Sequence, residues 1–89
     1  PIRTIALCSG SGGSYLELAA EAGADAFVTG DVKHNRAVEA AALGITLIDA
    51  GHYETEAIIL EPMREYLQER FPCVEFRRAE SDRPPFRWE

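Results

Sequence analysis

The sequence predicts an α/β fold with a mostly parallel sheet, one half of a larger α/β fold. Three observations carry that prediction. Short apolar runs alternate with longer stretches of helical character; a polar, turn-rich loop follows each run; and glycine or proline closes each helical stretch. This order favours βαβ units joined by right-handed crossovers.

Residues 3–8 (Arg-Thr-Ile-Ala-Leu-Cys) read as a buried first strand, and Ser9-Gly10-Ser11-Gly12-Gly13 as a tight loop. Ser14 with Glu17 forms a capping-box pattern that opens a helix through Leu16, Leu18, Ala19, Ala20 and Ala22, and Gly23 stops it. Ala26-Phe27-Val28-Thr29 is the second strand. A loop over 30–35 leads into a helix over 35–43, which Gly44 ends before a third strand over 45–49. The last helix covers 55–71. Ile59, Met63, Tyr66, Leu67 and Phe71 give it a core-facing stripe, and Pro62 predicts a kink or a displaced helix start. Pro72 closes it. Residues 73–78 are a candidate fourth strand, and the tail 80–89 is loop-like, with Phe86 and Trp88 as candidate anchors.

Eighty-nine residues allow one small domain, and 46% hydrophobic residues allow a modest core. No apolar run approaches the roughly 20 residues of a membrane span, and the first residues do not resemble a signal peptide. Cys8 and Cys73 sit in apolar context and read as reduced core residues of a cytoplasmic protein rather than as a bridge. The net charge of −6 argues against a sequence-independent grip on nucleic acid. Arg77, Arg78 and Arg83, set among acidic neighbours, read as a solvated surface. A chain that begins at Pro1 reads as processed, trimmed or a piece of something larger.

Three loops follow strand ends and should open on one rim, where ligands of parallel sheets gather. The loop from Ser9 to Gly13 either cradles an anion with backbone amides or is a tight turn needing positive φ. Asp31 and His34 either stand near a metal or substrate, or serve as a turn residue and a helix cap. The third loop is the richest in chemistry: Asp49-Ala-Gly-His-Tyr-Glu-Thr-Glu56. His52 and Glu56 are four apart and share a face if a helix starts there, and imidazole with carboxylate suits zinc, iron, manganese or nickel. The alternative is a hydrogen-bonded histidine at a helix start, with Glu54 and Glu56 complementing the helix dipole. Two ligands do not close a metal site.

Four segments, together spanning nearly the whole chain, resemble the C-terminal part of the Nif-three-like family, the GTP cyclohydrolase I type 2 homologues. They are Ala6-Leu-Cys-Ser-Gly-Ser-Gly-Gly-Ser14, Ala22-Gly-Ala-Asp-Ala-Phe-Val-Thr-Gly-Asp-Val-Lys33, Leu47-Ile-Asp-Ala-Gly-His-Tyr-Glu-Thr-Glu56 and Ser81-Asp-Arg-Pro-Pro-Phe86. The resemblance implies that His52 and Glu56 are ligands of a two-metal centre, with Glu54 outside the ligand set. It implies two divalent ions in the full-length protein, and the position of Asp31 and His34 on the same rim places them near substrate. The family's His-His pair and aspartate belong to an N-terminal half. This sequence has only His34 and His52, and Asn35 stands where many members carry histidine. Residues 1–89 are therefore expected to be a single α/β domain, the C-terminal portion of a longer protein. The implied partners are that N-terminal half, further copies in a homo-oligomer and a nucleotide or phosphoester substrate, and the implied activity is hydrolase-like. A non-enzymatic metal-binding adaptor is the alternative.

Overall fold

A computed structural model describes residues 1–87. Three parallel strands, β1 (Ile5–Leu7), β2 (Ala26–Thr29) and β3 (Thr46–Asp49), form one sheet in the order β1-β2-β3. The helices are α1 (Leu16–Glu21), α2 (His34–Leu43), α3 (His52–Ala57) and α4 (Leu60–Arg70). The predicted α/β class holds. β2 occupies its predicted residues, while β1 and β3 are shorter than predicted because they are edge strands and pair on one side only.

The register aligns Ala6 with Phe27 and Phe27 with Leu47, so these three side chains share one face of the pleat. That face packs against Leu16 and Ala19 of α1 and Ala40 of α2, with Ile45 completing the core. The other face is largely uncovered: Ile5, Leu7 and Ile48 are 59%, 70% and 41% exposed. Before β1, the Arg3 and Thr4 N–H groups donate to Asp25 Oδ2 at 2.8 and 2.9 Å. These two bonds, Arg3's first, hold the Asp25 carboxyl below its ordinary pKa.

Several expectations need correction. The Ser14–Glu17 capping box does not form. A 3-10 turn, Gly13–Tyr15, precedes α1, and no side chain caps either element. α2 starts at His34, again without a side-chain cap, and Gly44 stops it in the left-handed region at φ 72° as predicted. The last helix is two helices. Pro62 cannot bond back to the Ile58 carbonyl, so the chain breaks at 58–59 and Pro62 falls in the first turn of α4. Its stripe is present but faces no core: Ile59, Met63, Tyr66 and Phe71 are exposed. Residues 73–78 form no strand, because the Gln68 side chain holds them against α4 through Val74 O and the Phe76 N–H, at 2.8 and 3.2 Å. Phe86 is 71% exposed and so does not anchor the tail among the described residues, and Trp88 lies outside them. Both thiols are free; Cys8 is half-buried against the core, but Cys73 is exposed rather than a core residue. The radius of gyration, 16.5 Å, exceeds the roughly 12 Å of a compact domain this long, because α4 and the tail extend from the core. Among the described residues, no helix is long and apolar enough to cross a membrane.

Candidate metal centre

The carboxyl ends of all three strands open on one rim, and glycines bring their loops into contact. Gly30, directly after β2, is the tightest point. A Cβ there would lie 2.5 Å from Gly10 O and from His52 N, and 2.7 Å from Gly51 C. The three loops thus converge on a position only glycine can fill. Gly51, at φ 94°, then turns the chain from β3 into α3, so that His52 opens the helix.

Side-chain hydrogen bonds lock this junction. The Gly12 N–H donates to Thr29 Oγ1 at 2.8 Å, and Thr29 is fully buried. The Gly10 N–H donates to Thr55 Oγ1 at 2.8 Å, and that hydroxyl donates to His52 O at 3.1 Å. Asp49 accepts from the Val32 and Gly51 N–H groups, both at 3.1 Å. The glycine loop is therefore a close-packed turn whose Gly10 and Gly12 amides are already bonded within the chain. Of the two readings of that loop, the structure favours the turn with positive φ, since Gly10 sits at 77°.

His52 stands between two carboxylates. Its Nδ1 is 2.7 Å from Asp31 Oδ2, and its Nε2 is 3.0 Å from Glu56 Oε1. The i,i+4 spacing on α3 accounts for Glu56. Asp31 arrives from the β2 loop in a left-handed conformation, φ 51°, which aspartate tolerates better than most residues. The Asp31 hydrogen bond is the largest cause raising the His52 pKa above 6.5; partial desolvation opposes it, and the charges of Glu56 and Asp31 add. His52 is about half exposed, so the site is open to solvent. Glu54 instead lies over Gly51. His34 occupies the first turn of α2, exposed, and forms no hydrogen bond with His52 or Asp31. The structure brings Asp31, His52 and Glu56 together and leaves His34 apart.

The donor set fits a divalent cation. An Asp31 carboxylate accepting from Nδ1–H fixes the tautomer that leaves the Nε2 lone pair for a metal, the usual carboxylate–histidine arrangement. Two ligands at ordinary metal distances lie roughly 3 Å apart at a right angle, matching the 3.0 Å between Nε2 and Oε1. In the protonated state the imidazolium proton lies where that cation would. The set is incomplete, since among the described residues no three His, Cys, Asp or Glu side chains are arranged to hold a metal ion together, Asp31 being turned to the far ring nitrogen of His52.

The sequence reading placed Gly10, Gly30, Asp49 and Thr55 in or beside the rim loops but gave none of them, nor Thr29, a role in fastening the site. Their available signal was a glycine in every rim loop. Beside Glu56 opens a groove of about 840 Å³, lined by Leu7, Ser9, Tyr53, Ile58 and Asp82 among others. Tyr53 OH donates to Asp82 Oδ2 at 3.1 Å, tying the tail to α3.

The family model Duf34/NIF3 (NGG1p interacting factor 3) matches residues 1–85. A GTP cyclohydrolase 1 type 2 homolog of Pasteurella multocida is 39% identical over 77 residues, covering 85% of this chain and 31% of the relative. A Staphylococcus aureus protein of the same description is 44% identical over 70 residues, covering 79% of this chain and 19% of the relative. The chain thus spans less than a third of the length of these relatives. Among solved structures, a Bacillus cereus protein related to NIF3 superposes with a TM-score of 0.90 at 29% identity, over 99% of this chain and 25% of that one.

Proposed function

This chain belongs to the Duf34/NIF3 family, and on that premise we propose that it supplies the C-terminal half of a two-metal centre in a cytoplasmic, hydrolase-like protein. The observation that carries the reading is the pair of donor atoms His52 Nε2 and Glu56 Oε1, 3.0 Å apart, with Asp31 behind the ring. His52 and Glu56 hold the ions, of zinc, iron, manganese or nickel. Two bound divalent cations would activate water and stabilise negative charge on a substrate.

The rest is done by this chain's own side chains. Asp31 orients the imidazole and holds the Nδ1 proton; Thr55 ties the first turn of α3 to the Gly10 backbone, which limits the play of both donors. Asp31 and His34, on the loop and helix start after β2, are the residues nearest substrate in this reading. The missing ligands come from the part of the protein outside this chain. The uncovered sheet face and α4 are surfaces for that part, and for further copies in a homo-oligomer. The name of the curated relatives supports a nucleotide or phosphoester substrate.

Metal analysis of the full-length protein tests the reading. Two divalent ions per chain are expected, with loss in His52→Ala and Glu56→Ala; a metal content unmoved by both would sink it. Isolated residues 1–89 should bind divalent metal weakly or not at all, and tight stoichiometric calorimetric binding lost in His52→Ala would refute that. A second reading, a metal-binding adaptor without turnover, draws on the exposed apolar stripe of α4. Metal bound with no hydrolysis across nucleotides and phosphoesters would favour it.

A further inference from the structure

The geometry points to a phosphate-binding pocket beside Asp31, the residue that also touches His52. A concavity of about 210 Å³ is lined by Ser11, Ser14, Asp31, Lys33, Asn35 and Arg36. These side chains come from two rim loops and the first turn of α2. Its donors are largely unused: Ser11, Ser14, Lys33 and Asn35 make no side-chain hydrogen bond among the described residues, and the Lys33 ammonium has no acidic partner there. Arg36 gives Nη1 to Glu39 Oε2 at 2.9 Å and keeps its other N–H groups. Its stem runs beside Gly13, where an added Cβ would meet Arg36 Cγ at 3.4 Å.

Two hydroxyls, a carboxamide, an ammonium and a guanidinium around one small volume are the donor set of a tetrahedral oxyanion. The first-turn amides of α2, a helix of 10 residues, add partial positive charge on the same side. Two carboxylates oppose it: Asp31, whose Oδ2 is engaged with His52 Nδ1, and Glu39, whose Oε2 is engaged with Arg36. In a chain of net charge −6, the lining itself carries two cations, Lys33 and Arg36, against one carboxylate. The pocket takes the phosphate of a phosphorylated small molecule. Because Asp31 lines the pocket and also touches His52, that phosphate lies one side chain from the His52–Glu56 pair. Its assignment to substrate rests on the metal-centre reading; its affinity for phosphate does not.

The test uses the full-length protein stripped of metal by a chelator, titrated with inorganic phosphate and with GMP at fixed ionic strength. Phosphate should bind the stripped wild type. Lys33→Met and Arg36→Met should each weaken it at least tenfold, and His52→Ala should leave it unchanged; Lys33→Met should also keep the wild-type metal content. An esterified occupant predicts GMP tighter than phosphate, and equal or weaker binding overturns that part. Absence of phosphate binding to the stripped protein, indifference to both substitutions, or equal loss in His52→Ala would overturn the pocket. Should metal binding fail while Lys33-dependent phosphate binding persists, the pocket stands and the metal reading falls.

Discussion

Phe27 on β2 is 2% exposed, whereas Tyr66, an equally bulky ring on α4, is 59% exposed. Both belong to regular elements, yet their surroundings differ. Residues 5–57 enclose a small core between the sheet and α1 and α2, and fasten their rim loops by glycine contacts and hydroxyl bonds. In α4 no residue is buried, and its longer-range bonds go to its own tail. The site lies in the fastened region, at the last helix before the break. Precision in the donor atoms is thus supplied locally, while the arm beyond 58 has surface to offer a partner.

The contrast is broken most severely at Gly30. A Cβ there meets backbone atoms of both neighbouring loops, which no rotamer change relieves. Gly30→Ala should cost about 3 kcal/mol of stability, at the upper end of overpacking effects, measured by denaturant unfolding. It should also displace His52 and lower metal content. The matched control is Gly44→Ala, where open space surrounds the added Cβ and only the left-handed φ is at issue; there about 1 kcal/mol is expected. Equal costs at the two positions would mean that the loop junction is not tight. Thr29→Val removes the acceptor of the Gly12 N–H in a buried place, and should cost about 2 kcal/mol. It should leave the arm unaffected by hydrogen exchange.

How much of this was legible in the sequence follows from the range of each interaction. β2 reads cleanly because it is central and nearly continuous in apolar residues. Gly44 reads cleanly because a helix stop is local. The Ser14 capping box fails because the buried Gly12–Gly13 turn tightens the chain into a 3-10 turn first. The His52–Glu56 pair is visible at i,i+4, whereas Asp31–His52 and Thr55–Gly10 join residues far apart in the chain, which no pattern within one element reveals. Periodicity locates the stripe of α4, but periodicity cannot say whether a covering surface belongs to the same 89 residues.

Asp31→Asn sharpens the site within the fastened region. It removes the main cause of the raised His52 pKa, so NMR titration of the metal-free protein should show that pKa falling. The sign follows from linkage. With the pKa raised on folding, the stabilisation from the His52 charge is complete below pH 6.5 and is lost as pH rises through the folded value. A metal must replace the Nε2 proton, so wild-type binding strengthens on the alkaline side, and in Asp31→Asn that rise should begin at lower pH. At high pH the variant should bind metal roughly tenfold more weakly, as expected when a histidine ligand loses its carboxylate. An unmoved His52 titration would show that Asp31 does not orient the ring.

The smallest effect belongs to the arm and decides what the arm is for. Met63 and Tyr66 lie on the exposed stripe of α4 and are not part of the core cluster. In a chain of residues 1–89, Met63→Ser and Tyr66→Ser should therefore change stability by no more than about 0.5 kcal/mol, the usual span for exposed positions. In the full-length protein the same substitutions should cost about 2 kcal/mol each if the rest of the protein or a second copy covers the stripe. Comparing the two backgrounds separates a helix that is merely solvated from one that awaits a surface. A cost near zero in both would leave α4 a solvated helix and remove it from the interfaces proposed above. A large cost in the short chain would instead mean that α4 folds back onto the open sheet face beside Leu7 and Ile48, and that the arm is part of the core after all.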